Sequence, residues 1–272
     1  LDDCNICSGG DTGHIFNSDM DCSDTCFGSA YIDDCDFCDD NVFNDCITYE
    51  IDLHTGANLI SFYALPSDSS IESIFSSLGD NINLIITEGS GSLNLGGNWY
   101  GSLHEIKPNN GYWIIMNSAA TLIVPEAVPT SFVGYDLQYP LHTGNNLISY
   151  PFAVAQNLED AISSDYNNSL WAIAGNGVAA QNINGTWYGS LEYLDPSAGY
   201  WIVSYGDTQF QFNQPSNETS LRRNSNARIE PPELFTFSQS TYQAFYWVYN
   251  ADIEGDQLAV NEDWIGAFYG DE

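Results

Sequence analysis

Basic residues are almost missing from this chain. Four Lys and Arg stand against 37 Asp and Glu, giving a formal net charge of −33 over 272 residues. With so few cations to displace counterions, a nucleic-acid-binding role is excluded, and anionic membrane surfaces repel the chain for the same reason. Long apolar runs are missing too: nothing approaches the ~20 consecutive apolar residues of a membrane helix. Cysteine is absent after Cys46. Motifs of chemistry are also lacking, with no Gly-x-Ser-x-Gly elbow, no His-Glu-x-x-His and no phosphate-binding glycine loop. Gly89–Ser90–Gly91 falls in a turn between strands and opens no helix. The chain therefore reads as a non-enzyme with no catalytic residues.

What is present is a core-forming composition, 43% hydrophobic and 14% aromatic, which argues against disorder. It is organised by a duplication. Asn98–Trp99–Tyr100–Gly101–Ser102–Leu103 and Gly111–Tyr112–Trp113–Ile114 return as Thr186–Trp187–Tyr188–Gly189–Ser190–Leu191 and Gly199–Tyr200–Trp201–Ile202. The offset is 88 residues, and it also carries the His54–Thr55–Gly56 block onto His142–Thr143–Gly144. Such a fixed spacing marks two copies of one module, at 47–133 and 134–215. Strands are predicted at Ile47–Ile51, Leu59–Tyr63, Ile82–Thr87, through Trp99 and Tyr100, at Gly111–Met116 and at Ala120–Val124, with Gly89–Gly97 as a glycine-rich turn. Ile71, Ile74, Phe75 and Leu78 recur at helical spacing behind a polar cap, so each copy carries one short helix. His54 and His142 are expected to stabilise turns.

Residues 1–46 hold all seven cysteines (Cys4, Cys7, Cys22, Cys26, Cys35, Cys38, Cys46), twelve Asp, and no Lys, Arg or Glu. Leu1–Cys7 recurs 31 residues later as Ile32–Cys38. Few large apolar residues lie between, so this segment needs staples in place of a core. Disulfides are expected, and the odd count leaves one cysteine with a partner upstream, with a partner elsewhere in the assembly, or free. The paired Cys-x-x-Cys spacing also suits zinc. The surrounding field of Asp19, Asp21, Asp33, Asp34, Asp36, Asp39 and Asp40 suits calcium better, and calcium is the expected ion. Adaptation to a saline habitat explains the same acidity. The start at Leu1 predicts a mature or trimmed part of a longer chain.

Asp-Asp-Cys-x-x-Cys, Asp19–Met20–Asp21–Cys22 and Cys26–Phe27–Gly28–Ser29–Ala30 resemble the acidic cysteine repeats of secreted surface proteins from marine bacteria. Asn5 and Asp36 stand where glycine is usual in those repeats. The duplicated blocks resemble the modules found beside sorting domains in large secreted proteins of the same bacteria, and Glu262–Asp271 resembles the Asp-x-Ile-Gly-Ala-Phe motif of their β-sandwiches. These resemblances imply a mainly β architecture: a cysteine-rich irregular stalk at 1–46, two tandem antiparallel modules, a polar linker at 216–232 and a partial β-sandwich at 233–272. They also imply an extracellular, non-enzymatic structural role in a surface fibre, filament or adhesin.

Joining residues would then be Arg222, Arg223, Arg228, Trp264 and Phe268, which meet other copies or neighbouring modules. An alternative is carbohydrate binding on Trp99, Tyr112, Trp187 and Tyr200, since aromatic faces pack on sugar rings. Strand alternation puts Tyr112 and Trp113 on opposite faces, however, and favours a core or inter-module role for these residues. Asn167, Asn184 and Asn217 lie in Asn-x-Ser/Thr sequons.

Overall fold

A computed structural model describes residues 1–33, 37–40, 46–131, 136–215, 251–253 and 256–258. The described chain is mainly β, built of antiparallel sheets with short helices. No helix among the described residues is long and apolar enough to cross a membrane.

The cysteine segment contains one two-stranded ribbon, β1 (Tyr31–Ile32) on β2 (Cys38–Asp39). The first module then runs β3 (Ile47–Leu53), β4 (Gly56–Ile60), β5 (Ala64–Leu65), α1 (Ile71–Ile74), β6 (Ile82–Thr87), β7 (Ser90–Leu95), β8 (Asn98–Gly101), β9 (Tyr112–Met116) and β10 (Ala120–Pro129). Strands 4-9-6-7-8 form one sheet and 3-10-5 another. Alternation along β3 buries Tyr49, Ile51 and Leu53, which share a core with Ile85, Tyr112 and Ile114 of the larger sheet. Ser70 caps α1 by accepting the Ser73 N–H, and Ile71, Ile74 and Phe75 turn into that core.

The second module repeats the plan with β11 (Tyr139–Leu141), β12 (Gly144–Ser149), β13 (Gln156–Asn157), α2 (Leu158–Ala161), β14 (Leu170–Ala174), β15 (Ala179–Ile183), β16 (Thr186–Gly189), β17 (Tyr193–Leu194), β18 (Gly199–Ser204) and β19 (Thr208–Phe210). Its five-stranded sheet has the order 12-18-14-15-16, strand for strand the order of the first. The second core is aromatic, with Tyr139, Tyr150, Phe210 and Phe212 packed edge to face or tilted.

Two expectations are corrected. The strand expected at Leu59–Tyr63 instead runs over Gly56–Ile60, starting directly from the His-Thr-Gly turn. Gly89–Gly97 is not a single turn, because β7 runs through its middle and pairs with both β6 and β8. The inward-facing residues of β7 are polar, which hid the alternation. Ser92 and Asn94 are buried because the Ser92 hydroxyl donates to Leu103 O (2.6 Å) and the Asn94 amide to Gly79 O (2.9 Å).

The β8 motif owes its glycine to a close crossing. Gly101 has φ 155°, and a Cβ there would stand 2.2 Å from Gly91 O. Gly189 repeats this at φ 149° and 2.1 Å from Ala179 O. Behind them Leu103 and Leu191 turn inward and donate their N–H groups to those same carbonyls.

The modules dock through the outer faces of their five-stranded sheets. Leu59 and Trp113 of one meet Leu147 of the other in a small buried cluster with half-buried Trp201 against it. The backbone contacts are reciprocal. Ser61 N–H donates to Ser197 O (2.8 Å), and Ser149 N–H donates to Asn109 O (3.3 Å), the same pair displaced by one repeat. Gly111 and Gly199 allow this approach, since a Cβ on either would lie 2.7 Å from the carbonyl of Ile148 or Ile60.

Candidate functional site

The His-Thr-Gly turns are held by asparagine. Asn58 is buried, accepts His54 N–H (2.9 Å), and donates to His54 O and Gly56 O. Asn146 does the same for His142. Both histidine rings lie at the surface with Nδ1 against the next residue's carbonyl. Only His142 has a carboxylate across the module boundary: its Nε2 meets Glu88 Oε1 at 2.5 Å, while Glu88 Oε2 accepts Leu147 N–H. The residue equivalent to Glu88 in the second copy is Asn176, so His54 lacks this contact.

The Thr143 carbonyl, then the Glu88 carboxylate, raise the His142 pKa. Its stabilising contribution is therefore complete below the ordinary histidine value of about 6.5 and lost as pH rises through the folded value. An NMR titration of the His142 ring should show a lower midpoint in Glu88→Gln than in the parent chain. An unchanged midpoint would remove the ion pair from the module contact.

The aromatic signature divides between core and surface. Tyr112 and Tyr200 are buried, and their hydroxyls accept the N–H groups of Lys107 (2.6 Å) and Asp195 (2.8 Å) at equivalent turns. Burial pushes the Tyr112 phenol up to about 12. Neither ring is open to a ligand, which corrects their place among the sugar-stacking candidates. Trp99 and Trp187 are half-buried against the two cores, and the exposed aromatics beside them are Tyr100 and Tyr188. A shallow cleft of about 220 Å³ beside Trp187 is lined by Glu159, Ile162, Ser164, Asn167, Gly185 and Thr186. The Asn167 side chain thus faces this cleft and crowds Gly185, while Asn184 sits exposed on the β15–β16 turn.

Among the described residues of the cysteine segment, one aspartate hydrogen-bond pattern is used three times. Asp2 Oδ1 accepts the N–H groups of Cys4 (3.1 Å) and Ile6 (2.9 Å). Asp21 Oδ1 does the same for Ser23 (3.0 Å) and Thr25 (2.9 Å), and Asp33 Oδ1 accepts Phe37 N–H (2.8 Å). Each aspartate also donates its own N–H to the carbonyl four residues on. Asn5 and Asp24, three residues after their aspartates, both have φ 60°. Asparagine and aspartate tolerate this left-handed conformation, so the turn expected of glycine forms without it.

Disulfides join successive turns: Cys4 to Cys26 and Cys22 to Cys38. Cys46 is buried and also disulfide-bonded. Cys7 is unpaired and exposed, which corrects its inclusion among the bonded cysteines.

The chain matches no family model, no curated protein and no solved structure.

Asp21 and Asp33 are occupied in capping backbone, and Asp21 Oδ2 also accepts Ala30 N–H across Gly28. Asp40 accepts the Ser29 hydroxyl, and Asp39 lies in β2. Among the described residues, Asp19 is the expected calcium ligand that joins a cluster, and its partners are Asp2 and His14. Asp2 and His14 both belong to the acidic segment read as a cation field, but the sequence does not say that they meet Asp19 at one point. Cys35, Asp34, Asp36, Asn217, Arg222, Arg223, Arg228, Trp264 and Phe268 lie outside the described residues.

Proposed function

We propose that this chain is a non-enzymatic extracellular structural protein, a segment of a modular surface fibre, filament or adhesin joined through its terminal segments. One contrast carries the reading. The duplicated modules use their signature residues to fold and to dock on each other, whereas the cysteine segment turns its apolar residues outward. Ile15, Phe16, Phe27 and Phe37 are each at least 60% exposed, and the same segment carries the unpaired, exposed Cys7. Outward apolar side chains on a segment without a core suit contact with a neighbouring module or copy. Disulfides belong to oxidising compartments, consistent with secretion, and the resemblance to marine bacterial surface repeats points the same way. Calcium, drawn to the acidic field, would support such contacts.

The test is sedimentation velocity with electron microscopy on the full chain in saline buffer, with calcium, with chelator and with reductant. Concentration-dependent assembly is expected, weakened by reductant and by Cys7→Ser. A stable monomer under every condition overturns the proposal.

A second reading, a carbohydrate-binding surface module, draws on the cleft beside Trp187 and on exposed Tyr188. It predicts glycan-array binding that Trp187→Ala abolishes. Binding unchanged in that variant, or none to the parent chain, ends it.

A further inference from the structure

Asp2 is the one side chain among the described residues with a buried polar atom lacking a hydrogen-bond partner. Its side chain is fully buried. The two backbone N–H groups on Oδ1 fix the carboxylate and aim Oδ2 into a space shared with His14 and Asp19. His14 Nε2 lies 2.9 Å from Asp19 Oδ2 and 3.6 Å from Asp2 Oδ2, with the Ser18 hydroxyl 3.2 Å from the same nitrogen. A proton on Nε2 points to one oxygen only. It satisfies Asp19 and leaves Asp2 Oδ2 buried without a donor, an arrangement proteins rarely keep. A cation among the three atoms would satisfy both carboxylates together.

From this geometry we propose that Asp2, His14 and Asp19 form a binding site for a zinc-class divalent cation. Ligands about 2.0–2.2 Å from a tetrahedral zinc stand roughly 3.3–3.6 Å apart; the 3.6 Å from His14 Nε2 to Asp2 Oδ2 matches, and the 2.9 Å hydrogen-bond distance to Asp19 Oδ2 would open as the ion enters. The donor set decides the class. Calcium and magnesium take oxygen ligands, whereas an imidazole with two carboxylates suits zinc and its transition-metal neighbours. Water or the Ser18 hydroxyl completes the fourth position. The bound ion would pin the loop carrying His14 and Asp19 to the first cysteine turn, in a segment that has no apolar core to do so. The site takes Asp19 out of the set expected to hold calcium and leaves the other aspartates to it, and it stands whether or not the chain assembles.

The experiment uses the full oxidised chain carrying Cys7→Ser, so that the free thiol takes no part, in saline that screens the diffuse acidic field. Zinc alone is titrated by calorimetry, and cobalt(II) is followed by its visible absorption. One equivalent should bind, with a tetrahedral cobalt spectrum, and a hundredfold excess of calcium should not displace it. His14→Gln, whose side chain is partly exposed, should weaken binding by more than about tenfold, since even an outer-shell change costs about that much. Asp2→Asn should do likewise, with disulfide mapping and hydrogen exchange confirming that the fold is kept. No stoichiometric zinc, displacement by calcium, or affinity unchanged in His14→Gln overturns the proposal.

Discussion

Gly101→Ala is expected to destabilise the first module by about 3 kcal/mol or more, with the melting temperature lower by roughly 10 °C. Two causes act together. The backbone at φ 155° is strained for any residue with a Cβ, and that atom would stand 2.2 Å from Gly91 O, which cannot retreat without breaking the β7–β8 pairing. The same carbonyl accepts Ser102 N–H and Leu103 N–H, so movement there also pulls Leu103 from the core. Gly96→Ala is the control. It has positive φ (61°) but open space around the new methyl, and should cost only about 1 kcal/mol. Thermal denaturation of the two variants separates them. Equal losses would mean that the tight crossing is not what the motif glycine serves. Gly189→Ala should reproduce the effect in the second module.

Reduction is expected to abolish the order of residues 1–33 while leaving the modules folded. Cys4–Cys26 and Cys22–Cys38 span 22 and 16 residues, and each closed loop of that size contributes about 3 kcal/mol. The segment has nothing comparable to replace them, since Asp2 and Cys4 are its only buried residues before Asp33. Hydrogen exchange with and without a phosphine reductant reads this directly. Amides such as Ile6 and Thr25, both in hydrogen bonds of the aspartate turns, should exchange as in an unfolded chain after reduction, and those of β9 and β18 should not change. Continued protection of residues 1–33 would show that the acidic turns hold without their staples.

Much of the module was legible in the sequence because its apolar residues keep time. Ile82–Thr87 and the cap and first turn of α1 fell where the pattern put them, although the α-helix stops at Ile74 and Leu78 reaches the core from a 3-10 stretch, and the echo of the tryptophan motifs exposed the duplication. Strand β7 was not legible because Ser92 and Asn94 occupy inward positions that carry no apolar signal. The docking face was hidden for another reason. Alternation says that Trp113 opposes Tyr112, but no local pattern says that a second module covers it. The third aspartate turn, at Asp21, escaped notice because its first cysteine stands one residue after the aspartate, whereas in the other turns it stands two after. The Asp2, His14 and Asp19 cluster exists only once the chain has folded back on itself.

The reciprocal docking of the two modules has a further consequence. A contact in which each partner offers the same patch is isologous: it closes on itself, producing a pair and no more. With Leu59, Trp113 and Leu147 buried inside it and Trp201 packed against them, this face has no valence left for a third module. Any growth in one dimension must therefore run head to tail through other surfaces, with the paired modules acting as a rigid bead. The same closure turns the pair into a hazard if it opens, because each half would display a patch complementary to the half of any other chain.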